Sequence, residues 1–111
     1  MTPTKMTQSF NMTSEYFKQG TRIFWKSGSV IQGYAFLEVV KTVPIGNYGI
    51  IGSMEKYHPC NTVTTMITRT DTTDGVLGRI GVNPNGNIYL ITYKEIPGGV
   101  SVQFDMTYIT E

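Results

Sequence analysis

The sequence predicts an all-β fold, an antiparallel β-sandwich of jelly-roll type over residues 21–111 behind an N-terminal arm or linker over residues 1–20. Three observations carry this. β-Branched and aromatic residues dominate the apolar set, with frequent threonine and 12 glycines, a composition suited to a pleated, half-buried surface. Short runs of alternating polarity recur between turn signals, as they do in sandwiches and barrels. Two such runs are joined by Asn83-Pro84-Asn85-Gly86. There proline presets φ, asparagine tolerates the bridge region, and glycine can take the left-handed conformation that a type I turn with a bulge needs.

The strands follow in order. From Thr21 to Lys26, Ile23 and Trp25 alternate with Arg22, Phe24 and Lys26, and Ser27-Gly28 makes a tight turn. Ser29 to Val40 is a long strand in which Gly33 predicts a bulge or bend. A loop over Val43–Asn47 leads to a short strand from Tyr48 to Met54, and a loop around Pro59 leads to a strand from Thr62 to Arg69. Thr70–Gly75 is its polar hairpin loop, and Val76–Val82 pairs with Asn87–Tyr93 across the Asn-Pro-Asn-Gly turn. After Pro97-Gly98-Gly99, the last strand sets Val102, Phe104, Met106 and Tyr108 on one face and Ser101, Gln103, Asp105 and Thr107 on a solvated one. Phe10 to Phe17 has weak helical spacing but is rich in Thr and Ser, and reads as a linker or an arm that packs on a neighbour.

Length and charge bound the function. At 111 residues the chain is one domain. With 15% charged residues and a net charge of +1, it has no electrostatic footprint for nucleic acid or an anionic membrane. No apolar stretch approaches the length of a membrane span. The first residues, Met1 to Thr7, lack the apolar core of a secretory signal. Cys60 is the single cysteine, so no intrachain disulfide or thiolate metal cluster can form. That usage suits synthesis in a reducing cytoplasm, and a lone cysteine of this kind is read as a small buried hydrophobe. The sequon Asn11-Met12-Thr13 is read as chance.

Catalytic and metal constellations are absent. His58 is the only histidine, which removes every two-histidine zinc scheme. His58 and Cys60 stand two apart around Pro59, a spacing that favours a structural loop over a nucleophilic pair. Asp71 and Asp74 share one hairpin loop, where they more readily shape the turn than face each other across a sugar. Gly46-Asn47-Tyr48-Gly49 lacks the lysine and following helix of a phosphate loop. The prediction is a non-enzyme with neither cofactor nor metal. The aromatic set is more suggestive. Trp25, Tyr34, Tyr48, Tyr57, Tyr89, Tyr93 and Tyr108 suit core and subunit packing, or stacking on sugar faces.

From Lys26-Ser27-Gly28-Ser29-Val30-Ile31 through Tyr108, the chain resembles the C-terminal head domains of receptor-binding and tail-fibre or baseplate proteins of tailed phages infecting Gram-positive bacteria. The middle segment of the resemblance is Ile51 to Pro59, with Ser53-Met54 where those domains usually carry Leu-Pro. Its hairpin is Ile80 to Leu90 and its closing strand is Phe104 to Tyr108. The resemblance implies a homotrimeric β-sandwich at the tip of a virion's adhesion device, made in the host cytoplasm. Its partners would be other tail or baseplate proteins and a cell-surface saccharide, often held between subunits. A shallow sugar site is worth about millimolar affinity, roughly −4 kcal/mol, and three copies per trimer raise it by avidity.

Two other readings stay open: a structural trimerisation or baseplate-assembly module, and an accessory carbohydrate-binding module of a tail-associated hydrolase. For a saccharide site the candidates are the loop and strand-end groups Trp25, Tyr57, His58, Arg69, Asp71, Asp74, Arg79 and Tyr93.

Overall fold

In a computed structural model of the chain, residues 4–5, 10–70 and 75–110 are described. These residues form nine β-strands and no helix. The strands are β1 (Thr4–Lys5), β2 (Phe10–Met12), β3 (Phe17–Ser27), β4 (Val30–Val39), β5 (Gly46–Met54), β6 (Val63–Arg69), β7 (Val76–Val82), β8 (Asn87–Thr92) and β9 (Ser101–Ile109). All make one antiparallel sheet in the order β1-β3-β4-β9-β6-β7-β8-β5-β2. The expected all-β antiparallel fold is present, with the sheet curled into a half-barrel. β2 and β3 lie towards opposite ends of the strand order, yet only residues 13–16 join them. So short a link reaches at most about 17 Å, so the curl must bring the two ends of the sheet close.

The inner face of this curl is the core. Leu37, Val39, Ile67, Ile80, Leu90 and Val102 are almost fully buried there. The last strand alternates as its sequence predicts, with Val102, Phe104, Met106 and Tyr108 buried. The β7–β8 turn is also as predicted. Gly86 has φ of +91°, its N–H donates to the Asn83 carbonyl at 2.8 Å, and the Asn83 N–H donates to the Asn87 carbonyl at 2.9 Å.

Two local readings differ from the sequence expectation. Gly33 makes no bulge, because the β3–β4 ladder runs unbroken past its pair with Phe24. Glycine is needed there for close approach: a Cβ would meet the Ile23 carbonyl oxygen and lie 2.6 Å from Phe24 Cδ1. The irregularity sits instead between Gln19 and Arg22, which oppose Leu37 and Ala35. One extra residue in β3 shifts its alternation by one, so Phe17 and Phe24, an odd number of positions apart, both reach the core. The second difference is the start of the chain. The arm expected over residues 1–20 contributes β1, β2 and the first four residues of β3, and its described strands pair within the chain.

Candidate functional site

A concavity lies on the outer face of the sheet. β9 pairs with β4 over nine residues, but with β6 only at Thr68–Gln103 and Arg69–Val102. At that point the β6–β7 ladder is irregular between Ile67 and Thr68, where Leu77 is the extra residue, and a bulge of this kind bends its strand. Beyond it the two strands stop pairing and a groove of about 640 Å³ opens across β3, β4, β9 and β6.

Its wall is aromatic. Trp25 stands on β3, cross-strand from Gln32 of β4. Tyr34 and Phe36 follow at the next outward positions of β4, edge to face with centroids 5.4 Å apart. Its far side and floor carry hydrogen-bonding groups: Gln32, Gln103, Asp105, Thr107 and Thr68. Tyr34 opposes Asp105 and Phe36 opposes Gln103, and opposite residues have Cβ atoms about 5 Å apart. Rings and polar tips therefore interleave on one surface. Among the described residues, Asp105 is the single charged side chain of the lining.

The sequence candidates do not gather in one place. Trp25 lines this groove. Tyr57 and His58 line a smaller hollow of about 350 Å³ with Pro59, Cys60, Pro84 and Thr110. Arg69 ends β6 and is half-buried, Arg79 is exposed on β7, and Tyr93 is exposed just past β8. Asp71 and Asp74 lie outside the described residues. Cys60, expected to be buried, is exposed, because the loop that carries it crosses the end of the sheet with Pro59 inward.

That loop is tied down at several points, which explains Tyr57 and His58 without a ligand. The Tyr108 hydroxyl donates to the Tyr57 carbonyl at 2.9 Å and the Thr110 hydroxyl donates to the His58 carbonyl at 2.8 Å. His58 Nε2 stands 2.8 Å from the Met54 carbonyl. A carbonyl only accepts, so Nε2 carries the hydrogen. Lys26 Nζ lies 5.1 Å from the centre of the Tyr57 ring and donates to the Gly28 carbonyl at 2.6 Å. Tyr57 is the one non-glycine residue with positive φ, +56°, among those described, a conformation that persists where its surroundings fix it. Burial pushes the Tyr108 hydroxyl up to about 12.

Gln32, Phe36, Gln103 and Asp105 were not among the sequence candidates, and Tyr34 was named only in the wider aromatic set. Part of the signal was present: Tyr34 and Phe36 alternate in phase with Gln32 and Glu38, on a face where polar residues are expected, whereas Trp25, expected inward with Ile23, lies outward because Phe24 is the buried residue of that run. Reading it required knowing that β3, β4 and β9 are neighbours. Among the described residues, no three His, Cys, Asp or Glu side chains gather where they could hold a metal, and no helix is long and apolar enough to cross a membrane. No protein-family model and no curated protein matches the chain.

Proposed function

We propose that the chain is a non-enzymatic, saccharide-binding adhesion head of the kind carried at the tail tip or baseplate of phages, and that the outer-face groove is its sugar site. The observation that carries this is the interleaving of Trp25, Tyr34 and Phe36 with Gln32, Gln103 and Asp105 on one exposed surface. Aromatic faces take the apolar faces of pyranose rings, while amide and carboxylate tips pair with their hydroxyls. Among the described residues the groove has one carboxylate, and glycoside hydrolysis requires a facing pair. The motif resemblance from Lys26 to Tyr108 points the same way.

The test is co-sedimentation of the purified chain with Gram-positive cell walls. Retention that is lost in Trp25→Ala, with the melting temperature little changed, supports the reading. A chain that sediments with no wall preparation overturns it.

A second reading, a trimerisation or baseplate-assembly module, is favoured by a separate observation. Val30 and Ile109 are cross-strand partners and both are exposed, Ile109 at 63%. An apolar pair on an outer face suits a subunit contact. A mass of three times 12.4 kDa by light scattering that falls on Ile109→Lys supports that contact, and a monomer at every concentration removes it.

A further inference from the structure

We infer that the groove takes an uncharged saccharide chain of more than one ring, laid across the strands over Trp25, and that Asp105 turns away polyanionic glycans. This rests on the saccharide-adhesin reading and names the class of glycan.

The first ground is continuity. Trp25 and Gln32 line the 640 Å³ groove and also a second concavity of about 570 Å³ on their other side, with Ser27 and Val30. Trp25 is therefore the divide between two hollows rather than the end wall of one. A ring stacked on it has room for a neighbour on either side. From β3 to β9 the main groove spans two paired interstrand steps, about 10 Å, and the unpaired gap to β6 widens it further, which is more than one pyranose ring occupies. The second concavity opens along β3 and β4 instead, at the Ser27–Val30 pair two residues beyond Trp25 and Gln32.

The second ground is charge. Among the described residues that line the two concavities, Asp105 is the only charged group; the polar remainder is amide and hydroxyl. Two of the described cations near the groove are turned elsewhere. Lys26 is held over the Tyr57 ring and against the Gly28 carbonyl. Arg79 stands one strand further on, opposite Met66, and does not line the groove. A phosphate- or uronate-bearing polymer would bring negative charge up against the Asp105 carboxylate, and like-charge juxtaposition discriminates strongly between partners. Neutral sugars instead bring hydroxyl donors, which Asp105 and the side-chain carbonyls of Gln32 and Gln103 can accept.

The test titrates the full chain with two probes: phosphate-free oligosaccharides from Gram-positive wall polysaccharide, fractionated by length, and poly(glycerol phosphate). The expected result is affinity for the neutral series rising at least tenfold from one ring to four. Poly(glycerol phosphate) should bind at least tenfold more weakly than the four-ring fraction, and Asp105→Asn should narrow that gap. Affinity that saturates at a single ring overturns the extended-chain inference. Tight binding of poly(glycerol phosphate) by the native chain overturns the neutral-glycan inference while leaving the adhesin reading in place. Binding of neither probe, by a chain that also fails to sediment with whole walls, overturns both. Asp105 is exposed on β9, and a thermal melt confirms that its variant folds.

Discussion

The Tyr108 hydroxyl reaches across 51 residues of chain to donate to the carbonyl of Tyr57, the residue held at φ +56°. A buried side chain of the last strand thereby fixes a strained point of a surface loop. Two consequences can be measured. Below pH 10 both folded and unfolded chains keep the Tyr108 proton. Between pH 10 and about 12 the unfolded chain releases it while the folded chain retains it, because burial raises the folded value. The unfolded state then binds fewer protons, so stability falls as pH rises through that window. Tyr108→Phe removes this proton and should lose less stability over the window, while being less stable below pH 10 by about 1 kcal/mol for the missing hydrogen bond. Urea denaturation on both sides of pH 10 measures this; parallel losses in the two proteins would refute the assignment to Tyr108.

His58 is the second anchor of that loop. Its Nε2–H donates to the Met54 carbonyl, and its ring lies against the Cα of Gly86, where a Cβ would come within 2.5 Å of Nε2. Replacing the ring with alanine should cost about 1 kcal/mol, read by denaturation, and leave cell-wall retention unchanged. Retention lost in a folded His58→Ala variant would place this loop in the binding site.

The fold was largely legible because the local signals agreed. β7 spans Val76–Val82 as the alternation predicts, and β8 starts at the Asn87 that follows the turn glycine. What the alternation could not place was a bulge. Gly20 and Thr21 carry no more punctuation than Gly33, and only the cross-strand partners show which glycine bends the strand and which yields to a ring. The site was less legible for the same reason. Trp25 was identifiable alone as an unusual ring. Asp105 read as an ordinary solvated position, until strand order placed Tyr34 opposite it. A groove made by three neighbouring strands and a gap beside the fourth depends on non-local pairing, which residue spacing does not contain.

Thr92 offers a sharp test of polar satisfaction in the core. Its side chain is 3% exposed, and its hydroxyl accepts the Gly46 N–H at 2.9 Å. The same oxygen lies 2.8 Å from the Pro44 carbonyl and 2.9 Å from the Gly46 carbonyl, which share its one hydrogen. Thr92→Val keeps the shape and removes every one of these bonds, leaving partners facing a methyl group. It should cost about 1–3 kcal/mol. Thr92→Ser keeps the hydroxyl and loses one methyl, and should cost less. If serine is the worse substitute, packing rather than hydrogen bonding holds this end of β5.

Gly33 separates stability from binding, because it meets both. Its backbone lines the groove, but the Cβ it lacks would point inward, 2.6 Å from Phe24 Cδ1 and 2.7 Å from Phe24 Cα. Phe24 is fully buried, so its ring has no free space to turn into and the strand pair must part instead. Overpacking of this kind costs about 1–3 kcal/mol. Gly33→Ala should therefore melt lower, yet retain wall binding at temperatures where it remains folded, since the added methyl points inward, away from the groove-facing side chains of Gln32 and Tyr34. A variant of native stability would show that β3 and β4 can separate locally at no cost. One that folds but no longer binds would show that the spacing of Trp25 from Gln32 across this pair is set by the absent Cβ.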